Sequence, residues 1–332
     1  MCEFPLFQGG DTGSIPVGDT TLAAHAVSGG ASEERGSEVT AQLRFEPLTG
    51  TIGAVVHGLD IDVGPSDAEV EAVHRGLMDR HVLFFRDQHP SPEALLAFAR
   101  RFGPISPRHP LHLCVPGLEE VMVIVDDATK PPENDMWHSD LSGQPRPPFA
   151  GVLHGVELPA AGGDTMWCDM HAVYQALSPH MRDFLGGLTA LHDVAASFQG
   201  LRDRFDDRGA AIDGMSADAY TARHPVVLHH PGNGRPLVYV NRTFTTRIEE
   251  LTEAESAAVL ETLYTMIETP RFHVRFRWTE GAVAMWDNWA TQHYAIGDHF
   301  PARRVMQRVT VADDARVESD LAWPLAATAL AS

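Results

Sequence analysis

The 332-residue chain carries 45 acidic against 25 basic residues, a formal net charge of -20, and is 44% hydrophobic. That length and apolar content suffice for one large packed domain or two small ones, whereas so acidic a surface excludes wrapping a nucleic-acid polymer, whose phosphates need basic neutralisation. Cys2, Cys114 and Cys168 form neither a zinc spacing nor an even disulfide set. With no basic-then-apolar leader and no apolar run long enough to cross a bilayer, the expectation is a soluble cytoplasmic protein away from membranes.

Residues 1–40 are rich in Gly, Ser, Thr, Ala and Glu without a sustained apolar period, and read as a flexible extension. The folded unit is expected over 41–315, with 316–332 as a C-terminal tail. Gly53–Gly58 supplies a strand. Ser66-Asp67-Ala68-Glu69 is a capping box that opens a helix with Val70, Val73 and Leu77 on one side, and a strand follows over His81–Arg86. Ser91-Pro92-Glu93 starts a second helix, which stops at Gly103-Pro104; Arg100 and Arg101 read as its solvated face. Val121–Val125 is a short buried strand, and Phe149–Val156 is another. Gly162-Gly163-Asp164-Thr165 is a glycine-rich turn into Met166-Trp167, and a helical pair begins at Met170. The polar stretch 199–223 reads as an insertion over the site, either a lid or a surface excursion. Strands return at His224–His229 and Leu237–Val240, a capped helix runs from Thr252 to about Ile267, and Arg271–Trp278 alternates as a half-buried strand. Ala282–Trp286 and Arg303–Val311 complete a chain of many short strands with inserted helices. A mainly β sandwich or open barrel is the architecture this pattern predicts.

The chemistry gathers around Asn134-Asp135-Met136-Trp137-His138-Ser139-Asp140. In extended backbone, positions i and i+2 share a face, so His138 and Asp140 converge on one point where a metal ion fits. His293, in Trp286-Asp287-Asn288-Trp289-Ala290-Thr291-Gln292-His293, is the partner that completes two histidines and one carboxylate, the ligand set of non-haem Fe(II) oxygenases. Zinc ordinarily closes a tetrahedron with other ligands, but ligand type alone does not exclude Mn or Co. On the last strand a period of two puts Arg304, Met306, Arg308 and Thr310 on one face, with the two arginines about 13 Å apart. Each suits a bidentate anion; each could instead make a structural ion pair.

Trp137-His138-Ser139-Asp140, Gly162-Gly163-Asp164-Thr165-Met166-Trp167, Trp286-Asp287-Asn288 and Gln292-His293-Tyr294-Ala295 followed by Arg303-Arg304 stand in an order and spacing that resembles the TauD/TfdA (taurine dioxygenase-like) family of Fe(II)/2-oxoglutarate-dependent dioxygenases. The resemblance covers roughly 41–315 and takes in Phe84–Gln88 and Phe98–Gly103. It implies a double-stranded β-helix (jelly-roll, cupin-like) core with Fe(II) held by His138, Asp140 and His293, and with 2-oxoglutarate and O2 as co-substrates. It further implies that Arg304 and Thr165 hold the distal carboxylate of 2-oxoglutarate. Arg308, with His109, Asn134, Phe198 and Phe244, matches the positions that bind an anionic head group. The chain departs from taurine-specific relatives at His112, Leu141 and Gly143, which points to a reshaped pocket. Homo-oligomerisation is expected from the family only.

The reaction so implied turns 2-oxoglutarate into succinate and CO2 while hydroxylating a small anionic organic substrate. Where the attacked carbon bears a sulfonate or sulfate ester, the product collapses to an aldehyde and the free anion. Two other readings stand beside this one. One is a biosynthetic dioxygenase of the same family acting on a phosphorylated, nucleotide-like or amino-acid-derived substrate, and the other is a metal-binding β-sandwich without turnover.

Overall fold

The structure, a computed structural model, describes residues 43–107, 113–132, 134–194, 220–317 and 323. The expected N-terminal extension and most of the 199–223 insertion lie outside the described residues. The elements are β1 (Arg44–Pro47), β2 (Ala54–His57), α1 (Asp67–Arg80), β3 (Val82–Phe85), α2 (Pro92–Arg100), β4 (Leu113–Val115), β5 (Leu118–Asp126), β6 (Ala150–Glu157), β7 (Thr165–Asp169), α3 (Met170–Ala176) and α4 (Pro179–Leu185). They continue with β8 (Thr189–Asp193), β9 (Thr221–Pro225), β10 (Val227–His229), β11 (Pro236–Val238), β12 (Thr245–Ile248), α5 (Glu253–Ile267), β13 (His273–Phe276), β14 (Val283–Asp287), β15 (Thr291–Ala295) and β16 (Arg304–Val311).

Eight strands form one sheet in the order β1-β2-β3-β14-β6-β16-β5-β4, in which only β2 and β3 run parallel. Its central strands are buried on both faces and alternate between two cores. From β3 and β14, Leu83, Phe85, Val283 and Met285 point to one side, where Val70 and Leu77 of α1 and Leu95 and Phe98 of α2 cover them. Val82, Phe84, Ala284 and Trp286 point to the other, against Trp167, Val274 and Phe276 of a three-stranded sheet ordered β13-β7-β15. Phe84 stacks on Phe276 at 4.1 Å between ring centroids. Burying each such side chain stabilises the fold by about 1.5–3 kcal/mol. A second three-stranded sheet, β12-β8-β9, and the β10-β11 hairpin complete the β structure. Among the described residues, no helix is long and apolar enough to cross a membrane.

Both predicted capping boxes are present, Ser66 with Glu69 and Thr252 with Glu255. His81, expected to begin a strand, instead ends α1 in a left-handed conformation (φ 62°) with its N–H on Leu77 O, so β3 starts one residue later. The strand expected over Arg271–Trp278 is reduced to β13. Pro270 opens a 3-10 turn that absorbs Arg271 and Phe272, and β7 offers only the partners Thr165 to Cys168. Conversely, β5 is longer than expected and largely half-buried, because one of its faces borders a cleft. Trp323, the one described residue beyond Val317, is buried against Trp289, Tyr239 and His224.

Candidate active site

His138 and His293 sit directly opposite each other. Each donates its backbone N–H to the other's carbonyl, at 3.1 and 2.8 Å, in an antiparallel bridge alongside β15. This pairing puts both imidazoles on one face with ring centroids 4.1 Å apart. Asp140 follows two residues after His138, and one of its oxygens lies 3.7 Å from the Nε2 of each histidine. One ligand atom from each of the three lies within 4.8 Å of the other two. These separations are too long for hydrogen bonds, so the three groups converge on a common point without satisfying one another.

Whether a divalent cation fits is settled by protonation. The Nδ1 of His138 lies 2.8 Å from the Met136 carbonyl, which can only accept, so Nδ1 carries the proton and Nε2 offers a lone pair. Burial holds both imidazoles below their ordinary range, and for His293 the neighbouring His138 adds to it. Burial alone would raise the Asp140 carboxyl, but Arg308, His293 and His138 outweigh it and hold it well below the usual carboxylate range. Two neutral imidazoles and one carboxylate are a donor set suited to Fe(II).

The Asp140 backbone is clamped. Its N–H donates to Asn288 Oδ1 at 2.7 Å, and Asn288 Nδ2 donates to the carbonyls of Asp140 and Pro148. Ser139 Oγ donates to Thr291 O at 2.8 Å, a second tie between the two ligand segments.

Beside His293 a cleft is lined by Ile124, Asn134, Leu153, Thr165, Trp167, Trp286, Arg304 and Arg308, among others. The period of two predicted for β16 brings both arginines to it, although a register shift interrupts the β16–β6 pairing after Val305. Arg304 is buried, which pulls its guanidinium below its ordinary value against the opposing effect of Asp126, and its Nη1 lies 3.7 Å from Asp126 Oδ2. Arg308 makes a bidentate pair with Asp140, Nη1 to Oδ1 at 3.1 Å, and stands 5.1 Å from the centre of the Trp286 ring. The Nε of each arginine is buried without a hydrogen-bond partner. Thr165 Oγ accepts from Trp278 Nε1 at 2.9 Å, which leaves the hydroxyl proton free to be donated into the cleft.

Of the other expected site residues, Asn134 lines the cleft, while Phe244 lies edge-on to His138 at 6.3 Å. Leu141 is half-buried in a left-handed conformation (φ 48°) just after Asp140. His109, His112 and Phe198 lie outside the described residues. At Gly143 a Cβ would come within 2.3 Å of Tyr220 O and 2.5 Å of Val194 Cγ2, so the glycine serves close backbone packing. Arg100 and Arg101 pair with Glu120 and Asp67, away from the cleft.

Sequence reasoning missed Asp126, Trp278 and His299, which lines the same cleft with its Nε2 3.4 Å from Asp126 Oδ2, and gave Asn288 no role. Asp126 ends an apolar strand and faces Arg304 only through the β5–β16 register, so strand pairing would have been needed to find it. Nothing local marks His299.

A family model described as "Taurine catabolism dioxygenase TauD, TfdA family" matches residues 44–310. The alpha-ketoglutarate-dependent sulfate ester dioxygenase of Pseudomonas putida is 33% identical over 84% of this chain and 92% of its own length. The alkylsulfatase of Acinetobacter baylyi is 30% identical over 83% of this chain and 86% of its own. A crystal structure of a taurine dioxygenase from Burkholderia xenovorans superposes with a TM-score of 0.70 at 33% identity, covering 82% of this chain and 90% of that one.

Proposed function

This chain belongs to the TauD/TfdA family of Fe(II)- and 2-oxoglutarate-dependent dioxygenases, and we propose that it hydroxylates the carbon bearing a sulfate ester or sulfonate in a small organic anion. It is an oxidoreductase with a jelly-roll core that uses 2-oxoglutarate and O2. When bound, Fe(II) supplies activation of O2 coupled to oxidative decarboxylation of 2-oxoglutarate. His138, Asp140 and His293 would hold the metal. Arg304 and Thr165 take the distal carboxylate of the co-substrate, and Arg308 takes the substrate's anionic group, with Asn134 and Phe244 beside it. Leu153, Trp167 and Trp286 form walls that keep water out.

The balance of atoms is simple. One oxygen of O2 ends in succinate and the other in a hydroxyl on the attacked carbon. That hydroxyl then loses its proton as C=O forms, and the bond to the head group breaks, with sulfate or sulfite leaving with the electron pair. The products are an aldehyde, the free anion, succinate and CO2.

The observation that carries this reading is a single cleft with His293 in its wall and two guanidiniums, Arg304 buried and Arg308 half-buried, each with a buried, unused Nε donor. One guanidinium is needed for the co-substrate, and the other leaves a site for a second anion. The names of the two relatives agree with sulfate as that head group. We also infer a cytoplasmic homo-oligomer acting on small molecules. The test is incubation with Fe(II), 2-oxoglutarate and O2 across alkyl sulfates, sulfonates and phosphate esters. Sulfate or sulfite equal in amount to succinate is expected; phosphate release, or succinate without any anion, would replace the proposal.

A further inference from the structure

The charges around Arg304 do not balance the ligand assigned to it. Asp126 already faces the guanidinium across the β5–β16 register, and the side chains of Arg304 and Asp126 are only 5% and 10% exposed. A second carboxylate arriving there would set two anions against one cation in a nearly dry place. An uncompensated buried charge is strongly unfavourable.

One group is placed to supply the missing charge. His299 lines the same cleft, its side chain is 2% exposed, and its Nε2 lies 3.4 Å from the same Asp126 Oδ2. Neither of its ring nitrogens has a hydrogen-bond partner. Imidazole and guanidinium lie side by side under Gly163 (φ 71°), where a Cβ would come within 3.1 Å of Arg304 Cδ and 3.3 Å of His299 Nδ1. Among the described residues, the charged groups around this pair are Asp126 from β5, Asp164 from the turn before β7, and Asp298. Asp164 is engaged by Arg275 at 2.7 Å, and Asp298 accepts the Gly163 N–H at 2.8 Å. Arg303 turns outward to Glu157 and Asp127.

We propose that His299 is a second anchor for the distal carboxylate of 2-oxoglutarate, cationic in the complex and held so by Asp126, so that co-substrate binding takes up one proton from solvent. The inference rests on the assignment of Arg304 to that carboxylate. Before binding, the charges of Arg304 and Asp126 offset each other. Afterwards two cations, Arg304 and His299, face two carboxylates, Asp126 and that of the co-substrate. His299 binds the co-substrate; Asp126 acts through it as a positioning residue.

The experiment is calorimetric titration of 2-oxoglutarate into the full-length, Mn(II)-loaded protein at about pH 8, in two buffers of different ionisation enthalpy. The wild-type protein should take up about one proton per ligand, and its Kd should rise with pH, at the limit by about tenfold per unit. His299→Gln should remove the proton uptake and the pH dependence together and weaken binding by roughly tenfold. Arg304→Gln, run in parallel, should nearly abolish binding. No proton uptake in the wild type overturns the inference without recourse to any variant. Unchanged affinity and uptake in His299→Gln overturns it while a crippled Arg304→Gln leaves the Arg304 assignment standing; wild-type affinity in Arg304→Gln would bring both down.

Discussion

Replacing Asn288 with alanine separates the anchoring of Asp140 from its charge. The amide accepts from Asp140 N–H at 2.7 Å and donates to Asp140 O at 3.1 Å and Pro148 O at 2.9 Å, and the residue is only 1% exposed. Three hydrogen bonds are lost, each with a net value near 1 kcal/mol, and the Asp140 N–H is orphaned at a further cost of about 1–3 kcal/mol. A destabilisation of roughly 4–6 kcal/mol follows, measurable by urea denaturation of the metal-free protein. The effect should reach the metal as well. Leu141, next in the chain, holds φ 48°, a conformation that costs an L residue about 1–2 kcal/mol and persists only while its surroundings enforce it. Without the clamp the turn relaxes and Asp140 leaves the two imidazoles. Supporting residues of this kind are typically worth 10–100-fold in metal affinity, so a Co(II) titration should weaken by about that factor. Stability within about 1 kcal/mol of wild type together with unchanged Co(II) affinity would refute the clamp.

Three other perturbations probe separate parts of the site and fold. Arg304→Ala should raise the Kd for 2-oxoglutarate by at least about tenfold with little effect on an alkyl sulfate, and Arg308→Ala should do the reverse; equal effects of both changes on both ligands would dissolve the two assignments. Gly143→Ala drives a methyl into the Tyr220 carbonyl and should cost about 1–3 kcal/mol in thermal denaturation, whereas an unchanged midpoint would mean that the loop yields freely. Burial holds the imidazoles of His81, His171 and His224 down to about 3, 4 and 4. The unfolded chain therefore takes up protons near pH 6.5 that the native state refuses, and stability should fall below that pH by about 1.4 kcal/mol per unit per histidine. A melting temperature flat between about pH 6.5 and pH 4 would contradict this.

The His138–Asp140 pair and the two cleft arginines could be read from the chain because their geometry is local, whereas His293 meets the pair only through a long-range strand bridge. An i, i+2 pair in extended backbone shares a face wherever the strand ends up, and a period of two carries Arg304 and Arg308 to one side without any knowledge of their partners. Capping boxes were legible for the same reason, since Ser66 and Glu69 satisfy each other within one turn. What escaped depends on register. Asp126 meets Arg304 across a β5–β16 ladder, and Asn288 reaches Asp140 from far along the chain. Gly143 depends on register too: the backbone of Tyr220 fills the place a side chain would take, which nothing in the local sequence shows.

The pair between Arg308 and Asp140 joins two functions that the sequence treats as separate. The guanidinium proposed to take the substrate's anion spends two of its donors on a metal ligand, while its Nε stays unused. When Asp140 shares its charge with a divalent cation, it holds Arg308 less strongly, and the positive charge of the cleft rises on both counts. Substrate anions should therefore bind more weakly to the metal-free protein than to the loaded one. Releasing one charge-assisted hydrogen bond is worth about 1.5–3 kcal/mol, so Mn(II) under anaerobic conditions should tighten the binding of an alkyl sulfate by roughly tenfold to a hundredfold. Arg308→Ala should lose most of that gain, because the cation alone then provides the attraction. Equal affinity with and without Mn(II) in the wild type would mean that Arg308 does not change partners, and the anion would have to be sought elsewhere in the cleft.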